Sequence, residues 1–489
     1  MIAQATVLGT PELVFQPVLP ELVLVAFGIA GMLYEAFARR SDRGIHLAIA
    51  VVGLLGAGVS AIALWSWEGV AYVLGDTVAA DRFSVIARIV VLLSALVSAL
   101  YFTSSAELDP GSYRGEYYPL LLFATSGMTL ITAANDLIVI FLALELFSLS
   151  LYVLTGITGR RRANEAAMKY FLLGSFSSAF FLYGIAMAYG ATASTKVNEM
   201  AAALAGAAGS QAIALLAMAF LAIGFAFKVS AAPVHMWTPD VYQGAPTPVT
   251  AFMSAATKVA AFFALMRVFL VALQPLQLDW IPVIYTLAAL SIVVGSVLAI
   301  AQKDVKRMLA YSSIAHAGFI LTGLTNATSQ GIRAGIFYLI AYAAMSLGAF
   351  GVIMLVARGD EERTSLGDYA GLAKTRPTIA GVMTVFLLSL AGIPPTAGFI
   401  AKVGVFSAAI EAGHWGLVLV GVLSSVAAAF FYLRVIVQMY MQPAEGEPEE
   451  VFAGVPQVVV GLLAAGLIVL GLFPGLLAGL IDSASTLSW

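Results

Sequence analysis

The chain alternates between long apolar stretches and short polar loops. A helix that crosses a bilayer needs about 20 predominantly apolar residues, and fourteen stretches reach roughly that length. They cover residues 18–38, 45–66, 83–103, 117–134, 136–158, 165–190, 210–231, 247–271, 281–301, 305–324, 330–357, 377–411, 415–441 and 455–479. The pattern therefore predicts an all-α polytopic membrane protein with about fourteen transmembrane helices.

The composition also fits a membrane protein, and it excludes several kinds of partner and site. Of 489 residues, 61% are hydrophobic and 10% are charged, whereas a soluble domain carries about 25% charged residues. The net charge of −3 gives no reason to expect a nucleic acid partner. The chain has no cysteine, which excludes disulfides, iron–sulfur ligation and thiolate chemistry within it. Its four histidines lie far apart, so no metal site is expected.

Basic residues concentrate in alternate loops. If the spans alternate in direction, the loops after the first, third, fifth, ninth and eleventh spans lie on one side. They contain Arg39, Arg40, Arg43, Arg114, Arg160, Arg161, Arg162, Lys303, Lys306, Arg307, Arg358, Arg363, Lys374 and Arg376. The loops on the other side contain only Arg82, Lys196 and Arg333. By the positive-inside rule the first side is cytoplasmic, and both termini face away from the cytoplasm.

A faint internal repeat accompanies two interrupted spans. VLTGIT at 153–158 recurs as ILTGLT at 320–325, an offset of 167 residues. The same offset relates the seventh span, which prolines break near Pro233, to the twelfth, which they break near Pro394. Because the repeat is five spans long, an odd number, the second copy is inverted in the membrane. Inverted repeats with broken helices are typical of transporters, whose ion sites lie at the breaks.

Four ionisable residues lie deep inside predicted spans. They are Glu145, Lys228, Lys258 and Lys402. A charge at the bilayer centre costs about 2.5–3.5 kcal/mol on insertion scales, so such residues mark functional sites by default. Lys228 lies five residues before Pro233, where the helix loses hydrogen bonds and its free carbonyls can bind water. These four residues are therefore predicted to form an ion path.

Alternatives remain open for each of these residues. Glu145 needs a cation, and Lys228 is the natural one if the fifth and seventh spans pack together. That pair is either a fixed structural contact or a switchable one that alters the proton affinity of the lysine. Lys258 shares a helix face with Ser254. Lys228, Lys258 and Lys402 could also extend towards headgroups or pair with loop carboxylates.

Three further residues are weaker predictions for a relay. His235 and His316 can relay protons near neutral pH, but a histidine in an apolar helix is equally often a packing residue. Arg434 is expected to bind a carboxylate or a carbonyl group. Asp240, in the proline-rich segment, is expected to cap or brace the break.

The segment 228–258, KVSAAPVHMWTPDVYQGAPTPVTAFMSAATK, closely resembles the antiporter-like subunits of respiratory complex I, in particular the N type of bacterial NADH–quinone oxidoreductase. Segments 142–156, 160–184, 303–319 and 388–406 carry the same resemblance, which covers nearly the whole chain. It implies fourteen helices and a bacterial inner-membrane location. It also implies proton translocation by the residues that match Glu145, Lys228, Lys258 and Lys402. M-type relatives are expected to carry glutamate where this chain has Lys402.

The resemblance also implies a domain plan. Residues 1–110 form three N-terminal helices, 111–275 the first repeat, 276–441 the inverted second repeat, and 442–489 an acidic loop with the last helix. No cofactor is expected in the chain itself, and flavin, iron–sulfur clusters and quinone are expected in partner subunits. Neighbouring M-type and small K-type membrane subunits, together with lipids, are the expected partners.

Two alternatives compete with a proton-translocating complex I subunit. One is a subunit of a multisubunit cation/proton antiporter, which would show sodium-dependent proton flux without a redox substrate. The other is a membrane scaffold in a hydrogenase-type or ferredoxin-linked complex, whose lysines only hold helices together.

Overall fold

A computed structural model describes residues 14–38, 42–66, 71–103, 115–206, 210–357, 362–443 and 454–485. This part of the chain consists of helices and one short antiparallel hairpin, β1 (Ala71–Val73) with β2 (Val78–Ala80). The α-helices are α1 Leu19–Phe37, α2 Arg43–Ala63, α3 Arg82–Phe102, α4 Tyr117–Ala133, α5 Leu137–Thr155, α6 Arg161–Thr192, α7 Val197–Ala205, α8 Gln211–Lys228, α9 Trp237–Gly244, α10 Thr247–Arg267, α11 Gln277–Ile300, α12 Val305–Leu324, α13 Ser329–Val356, α14 Leu372–Thr375, α15 Pro377–Ala391, α16 Ala397–Glu411, α17 Trp415–Met441, α18 Val455–Leu472 and α19 Gly475–Ala484.

Every apolar stretch found in the sequence coincides with a helix or a broken helix. Eleven helical segments of the described chain are long and apolar enough to cross a membrane, and α4, α15 and α19 are shorter apolar helices. The all-α membrane architecture is thereby confirmed, while the total of fourteen spans stays a prediction. The hairpin β1–β2 was not predicted, because its three-residue strands are too short to show a pattern.

Both predicted helix breaks are present. The seventh span stops at Lys228 and resumes with α9, and the twelfth stops at Ala391 and resumes with α16. Each break contains a cis X–Pro peptide bond. Polar groups of the first break are bound by side chains, since Trp237 Nε1 donates to the Phe227 carbonyl at 3.0 Å and Ser291 Oγ accepts from the Ala232 amide at 2.8 Å. Irregular backbone at membrane depth requires such partners.

Two groups of five spans pack in the same order. The first comprises α4, α5, α6, the broken α8–α9 and α10, and the second comprises α11, α12, α13, the broken α15–α16 and α17. In each group the first helix packs against the second and the last, and the third packs against the broken helix. The second helix of the first group, α5, ends at the basic loop of Arg160, whereas the second helix of the second group, α12, begins at the basic loop before Lys306. Because these basic loops lie at the same end of the bundle, the two groups run in opposite directions. The repeat boundaries at 111–275 and 276–441 stay a prediction.

Basic loops from different parts of the chain meet at one end of the bundle, here called the basic end. Arg162 lies 3.7 Å from the Asp304 carboxylate, and Lys306 lies 2.8 Å from that of Glu362. The loops after the fifth, ninth and eleventh spans are therefore adjacent, as their charge pattern predicted. Arg39, Arg40, Arg114 and Arg358 lie outside the described residues.

The helix α10 lies at the centre of the bundle. All of its residues from Thr247 to Arg267 are buried, and α3, α4 and α13 pack around it. Lys258, in the middle of this helix, is fully buried and its amine is bound by the carbonyls of Val229 and Ser313, so the predicted alternative that Lys258 extends towards headgroups is wrong.

A buried ion pair joins α1 to α3, and its loss should destabilise the protein. Arg88 is fully buried and its Nε donates to Glu21 Oε1 at 3.0 Å. We expect Arg88→Ala to lower the free energy of unfolding by about 3–5 kcal/mol, because it leaves the Glu21 carboxylate buried without its cation. Thermal melting of the purified protein in detergent measures the effect.

The control is Arg333→Ala, which removes a half-exposed pair with Asp482. Such pairs contribute about 0–1 kcal/mol. Equal melting temperatures for the two variants would contradict the prediction.

Candidate functional site

The three predicted lysines lie inside the bundle. Lys228 is the last residue of α8, Lys258 lies in the middle of α10 and Lys402 lies in α16. Their exposed fractions are 5%, 0% and 5%. Each amine therefore depends on the protein, rather than on bulk water, for its hydrogen bonds.

Glu145 and Lys228 do not form an ion pair in this structure, which argues against the fixed structural contact, whereas the switchable pair stays a prediction. Both lie in the described ranges, yet Glu145 accepts a hydrogen bond from Ser178 of α6. Lys228 Nζ donates instead to Ser148 Oγ of α5 at 2.8 Å. The reason is packing, since α6 contacts both α5 and α8. Ser148 follows Glu145 by three residues on the same helix face, so the carboxylate and the amine remain neighbours without touching.

Lys258 binds the broken part of the seventh span. Its Nζ donates to the Val229 carbonyl at 3.2 Å and to the Ser313 carbonyl of α12 at 2.5 Å. Val229 directly follows Lys228, so Lys258 binds the residue next to Lys228. The break leaves the Val229 carbonyl without a helical partner, and Lys258 binds it. Lys228, Lys258 and Lys402 are called the lysine row below.

Lys402 occupies the second break. Its Nζ donates to the Ala391 carbonyl at 2.8 Å and lies 4.8 Å from the centre of the Phe319 ring. It also lines a cavity of about 410 Å³ together with Phe406 and Ser425. Lys402 follows its break whereas Lys228 precedes its own, so the two lysines are not at equivalent positions of the repeat.

The helix α12 connects Lys258 to Lys402. Ser313, His316 and Phe319 are spaced three residues apart and share a face. Ser313 binds Lys258, and Phe319 contacts Lys402. Between them His316 is buried, with Nδ1 2.8 Å from the Tyr338 hydroxyl and Nε2 3.3 Å from the Tyr432 hydroxyl. The structure thus places His316 between Lys258 and Lys402, the position that a proton relay requires.

The other two predicted relay residues lie elsewhere. His235 is half-buried in the first break, and its Nδ1 has no hydrogen-bond partner among the described residues. Arg434 donates to the carbonyls of Ile300 and Gln302. It therefore binds the C-terminal end of α11, where a cation is favourable, and this contact gives it a structural role.

Buried hydroxyl groups without a partner cluster around the first break. Within the described chain they include Ser177, Ser230 and Thr238. Buried polar groups are normally hydrogen-bonded to protein or to ordered water, and polar sites of this kind hold internal water. The break is therefore the part of the bundle best suited to hydration.

Asp240 braces the broken helix, as the sequence predicted. Its carboxylate lies 3.0 Å from Lys169 Nζ of α6 and 2.6 Å from Arg307 Nη1 of α12. These contacts hold α9 between α6 and α12, so the basic residues Lys169 and Arg307 fix the position of the break.

Several residues of this site were not identified from the sequence. Ser148, Ser178, Tyr338 and Tyr432 hold Glu145, Lys228 and His316. Ser148 carried a usable signal, because it lies three residues from Glu145. The other three belong to different helices, and only packing brings them near. No group of three His, Cys, Asp or Glu able to hold a metal occurs in the described chain.

Comparison with known proteins adds independent information. The model of the family described as NADH:quinone oxidoreductase/Mrp antiporter, TM, matches residues 134–428. NADH-quinone oxidoreductase subunit N of Trichlorobacter lovleyi is 44% identical over 94% of this chain and 94% of its own length. The protein of the same name from Rhodococcus opacus is 42% identical over 99% of this chain and 98% of its own.

The fold of this chain also matches solved structures. A chain of respiratory complex I from Thermus thermophilus with bound aureothin aligns with a TM-score of 0.81 at 35% identity, covering 95% of this chain and 99% of that one. A chain of the Mrp complex from Dietzia sp. aligns with a TM-score of 0.85 at 23% identity, covering 96% and 97%, which shows a shared fold. On this evidence the chain belongs to the family of NADH-quinone oxidoreductase subunit N, within the wider group of antiporter-like membrane subunits.

Proposed function

We propose that this chain is the proton-translocating membrane subunit of an NADH–quinone oxidoreductase and that Glu145, Lys228, Lys258 and Lys402 carry the protons. The observation that supports this most strongly is the continuity of the row. Lys258 binds the carbonyl next to Lys228, and α12 leads from Lys258 through His316 to Lys402. Buried amines held only by carbonyls and hydroxyls can exist in either protonation state.

The proton moves by successive protonation of neutral amines. It is taken up near Lys228 from the basic end, passes to Lys258 across the hydrated break, and leaves through Lys402. Glu145 controls the first step, because a nearby carboxylate favours the charged form of Lys228. With Glu145 bound to Ser178, Lys228 has only a neutral hydroxyl partner, which favours release of its proton towards Lys258.

The energy must come from outside this chain. Moving one charge against the membrane potential requires about 2.3 kcal/mol per 100 mV. The chain has no cysteine to hold an iron–sulfur cluster, and in this proposal it carries out no redox step itself. Flavin, iron–sulfur clusters and quinone belong to partner subunits, and M-type and small K-type membrane subunits are its neighbours. The complex lies in a bacterial inner membrane, with both termini of this chain on the non-cytoplasmic side.

A second candidate is a subunit of a cation/proton antiporter. The family model favours it, because its description names the Mrp antiporter beside the oxidoreductase, but the identity of 44% to a subunit N relative favours the oxidoreductase.

One experiment separates the two functions. The tagged chain is purified from its membranes, and the complex is reconstituted in sodium-free vesicles. We expect flavin- and iron–sulfur-bearing subunits to co-purify, and NADH with a quinone to drive proton uptake. The control is a sodium gradient without NADH. Proton flux that needs sodium and ignores NADH would contradict the proposed function and support the antiporter.

A further inference from the structure

A buried ion pair at the basic end lies outside the row described above. Lys306 of α12 is fully buried, and its Nζ lies 2.8 Å from Glu362 Oε2. Glu362 Oε1 accepts hydrogen bonds from the amide and the hydroxyl of Thr247, at the start of α10. Burial raises the pKa of Glu362, but the charge of Lys306 and the hydrogen bonds from Lys306 and Thr247 together outweigh this and lower the pKa below its ordinary value of 4.5. The carboxylate is therefore ionised at neutral pH and able to accept a proton.

Glu362 is also reached from the surface. It lines a cavity of about 200 Å³ together with Arg160, Arg162, Gln243 and Gly244. Arg162 is about half-exposed, so this cavity opens to water at the basic end. One face of the carboxylate is thus turned to water while the other contacts the first turn of α10.

Hydroxyl groups continue from Glu362 along α10 to Lys258. Thr247, Thr250, Ser254 and Lys258 are three or four residues apart on one face, and all are buried. They span about 16 Å at 1.5 Å per residue. Thr250 Oγ1 and Lys306 Nζ both donate to the Ala245 carbonyl, at 3.4 and 2.7 Å, which joins the ion pair to this row of hydroxyls.

The surroundings of this helix face near Lys258 are polar as well. Ser254 Oγ lies 2.5 Å from Ser346 Oγ of α13. The hydroxyls of Tyr242 and Ser313 are buried next to each other, and Ser313 binds Lys258 through its carbonyl. Successive groups on a helix face lie about 5–6 Å apart, a gap that one hydrogen-bonded water can bridge.

We propose that Glu362 collects protons at the basic end and delivers them to Lys258 along Thr250 and Ser254, on a route that does not pass through Lys228. The proposal rests on the proposed function, since it needs Lys258 to carry protons and Lys228 to be charged. The positive charge of Lys228 disfavours the ammonium form of Lys258 and drives its proton towards Lys402, so uptake requires both Lys228 and the route from Glu362. A proton from water binds a Glu362 oxygen and leaves along the hydroxyls and the waters between them. It ends on the neutral Lys258 amine as an ammonium, and no other bond changes.

The competing explanation is purely structural. Glu362 caps the N-terminus of α10 and neutralises Lys306, as a carboxylate at a helix N-terminus does. The two explanations differ for Thr250 and Ser254, which take no part in the ion pair. Their hydroxyls matter for proton transfer but contribute little to holding Glu362.

The test uses Thr250→Val and Ser254→Ala in the intact membrane complex. NADH-driven proton uptake into inverted vesicles is measured beside the NADH–quinone reductase rate, which also reports assembly. We expect each variant to slow proton uptake by about a hundredfold, the lower end of what a positioned proton-transfer group contributes. Thr129→Val in α4 is the matched control, because Thr129 is equally buried and donates only within its own helix, and it should pump normally.

Glu362→Gln separates the carboxylate from its capping role, because the amide oxygen still accepts from the Thr247 amide but the side chain no longer takes up a proton. We expect the same loss, with partial recovery in Glu362→Asp. Normal uptake in both hydroxyl variants would overturn the route, whatever Glu362→Gln does. If Lys228→Ala stops uptake while Thr250→Val and Ser254→Ala do not, the proposed function stands and this route is wrong.

Discussion

We expect Lys228→Ala to abolish NADH-driven proton uptake, with a loss of about a hundredfold or more. Lys228 is buried at the end of α8 and has one hydrogen bond to Ser148. Alanine leaves Phe147, Phe227 and the Ser148 hydroxyl facing a gap with no group that can bind a proton. The measurement is proton uptake in inverted vesicles, divided by the rate of quinone reduction.

Lys228→Arg tests whether a positive charge at this position is enough for proton uptake. Arginine keeps a cation beside Glu145 but cannot be deprotonated in a protein. We therefore expect Lys228→Arg to fail in proton uptake nearly as completely as Lys228→Ala, although it retains the positive charge.

The matched control is Lys374→Ala, which removes an exposed lysine at the basic end. It should leave proton uptake unchanged. Normal uptake in Lys228→Arg would mean that this lysine only holds helices together, and full uptake in Lys228→Ala would remove the first step of the proposed path.

The spans and both breaks could be predicted because their causes are local. Twenty apolar residues in a row leave few alternatives to a transmembrane helix. Pro233 and Pro394 interrupt such rows, and the structure breaks the helices at these positions. The alternation of basic loops likewise depends only on sequence order, and the contacts of Arg162 and Lys306 place those loops together.

The positions of the site residues could be predicted, but not their partners. A charged residue in an apolar span is conspicuous, so Glu145 and the three lysines stood out. Which group each one binds depends on the rotation and neighbours of its helix. A fixed contact of Glu145 with Lys228 is absent for this reason, since Ser178 of α6 binds the glutamate.

Glu362 shows a second limit of sequence reasoning. It lies in a polar loop among other charged residues, where a carboxylate is expected to be solvated. Only the fold brings that loop against the first turn of α10 and buries Lys306 beneath it. Backbone partners were equally hidden, because the carbonyls of Val229 and Ser313 carry no residue-specific signal.

Lys402 should be required at the other end of the row, but as a proton-binding group rather than as a cation. We expect Lys402→Met to lower proton uptake by about a hundredfold, since methionine fills the space beside Phe319 without binding a proton. Lys402→Glu should retain part of the uptake. A protonated carboxyl can donate to the Ala391 carbonyl as the amine does at 2.8 Å, and it can release that proton into the adjoining cavity.

The comparison of the two variants decides the role of the side chain. If Lys402 served only to place a positive charge in the second break, glutamate would be at least as harmful as methionine, because it reverses the charge. If it binds and releases protons, glutamate must exceed methionine in proton uptake per quinone reduced. Val403→Met, at the neighbouring half-exposed position, controls for added bulk in α16. Equal loss in Lys402→Glu and Lys402→Met, with Val403→Met normal, would therefore exclude proton transfer through this residue.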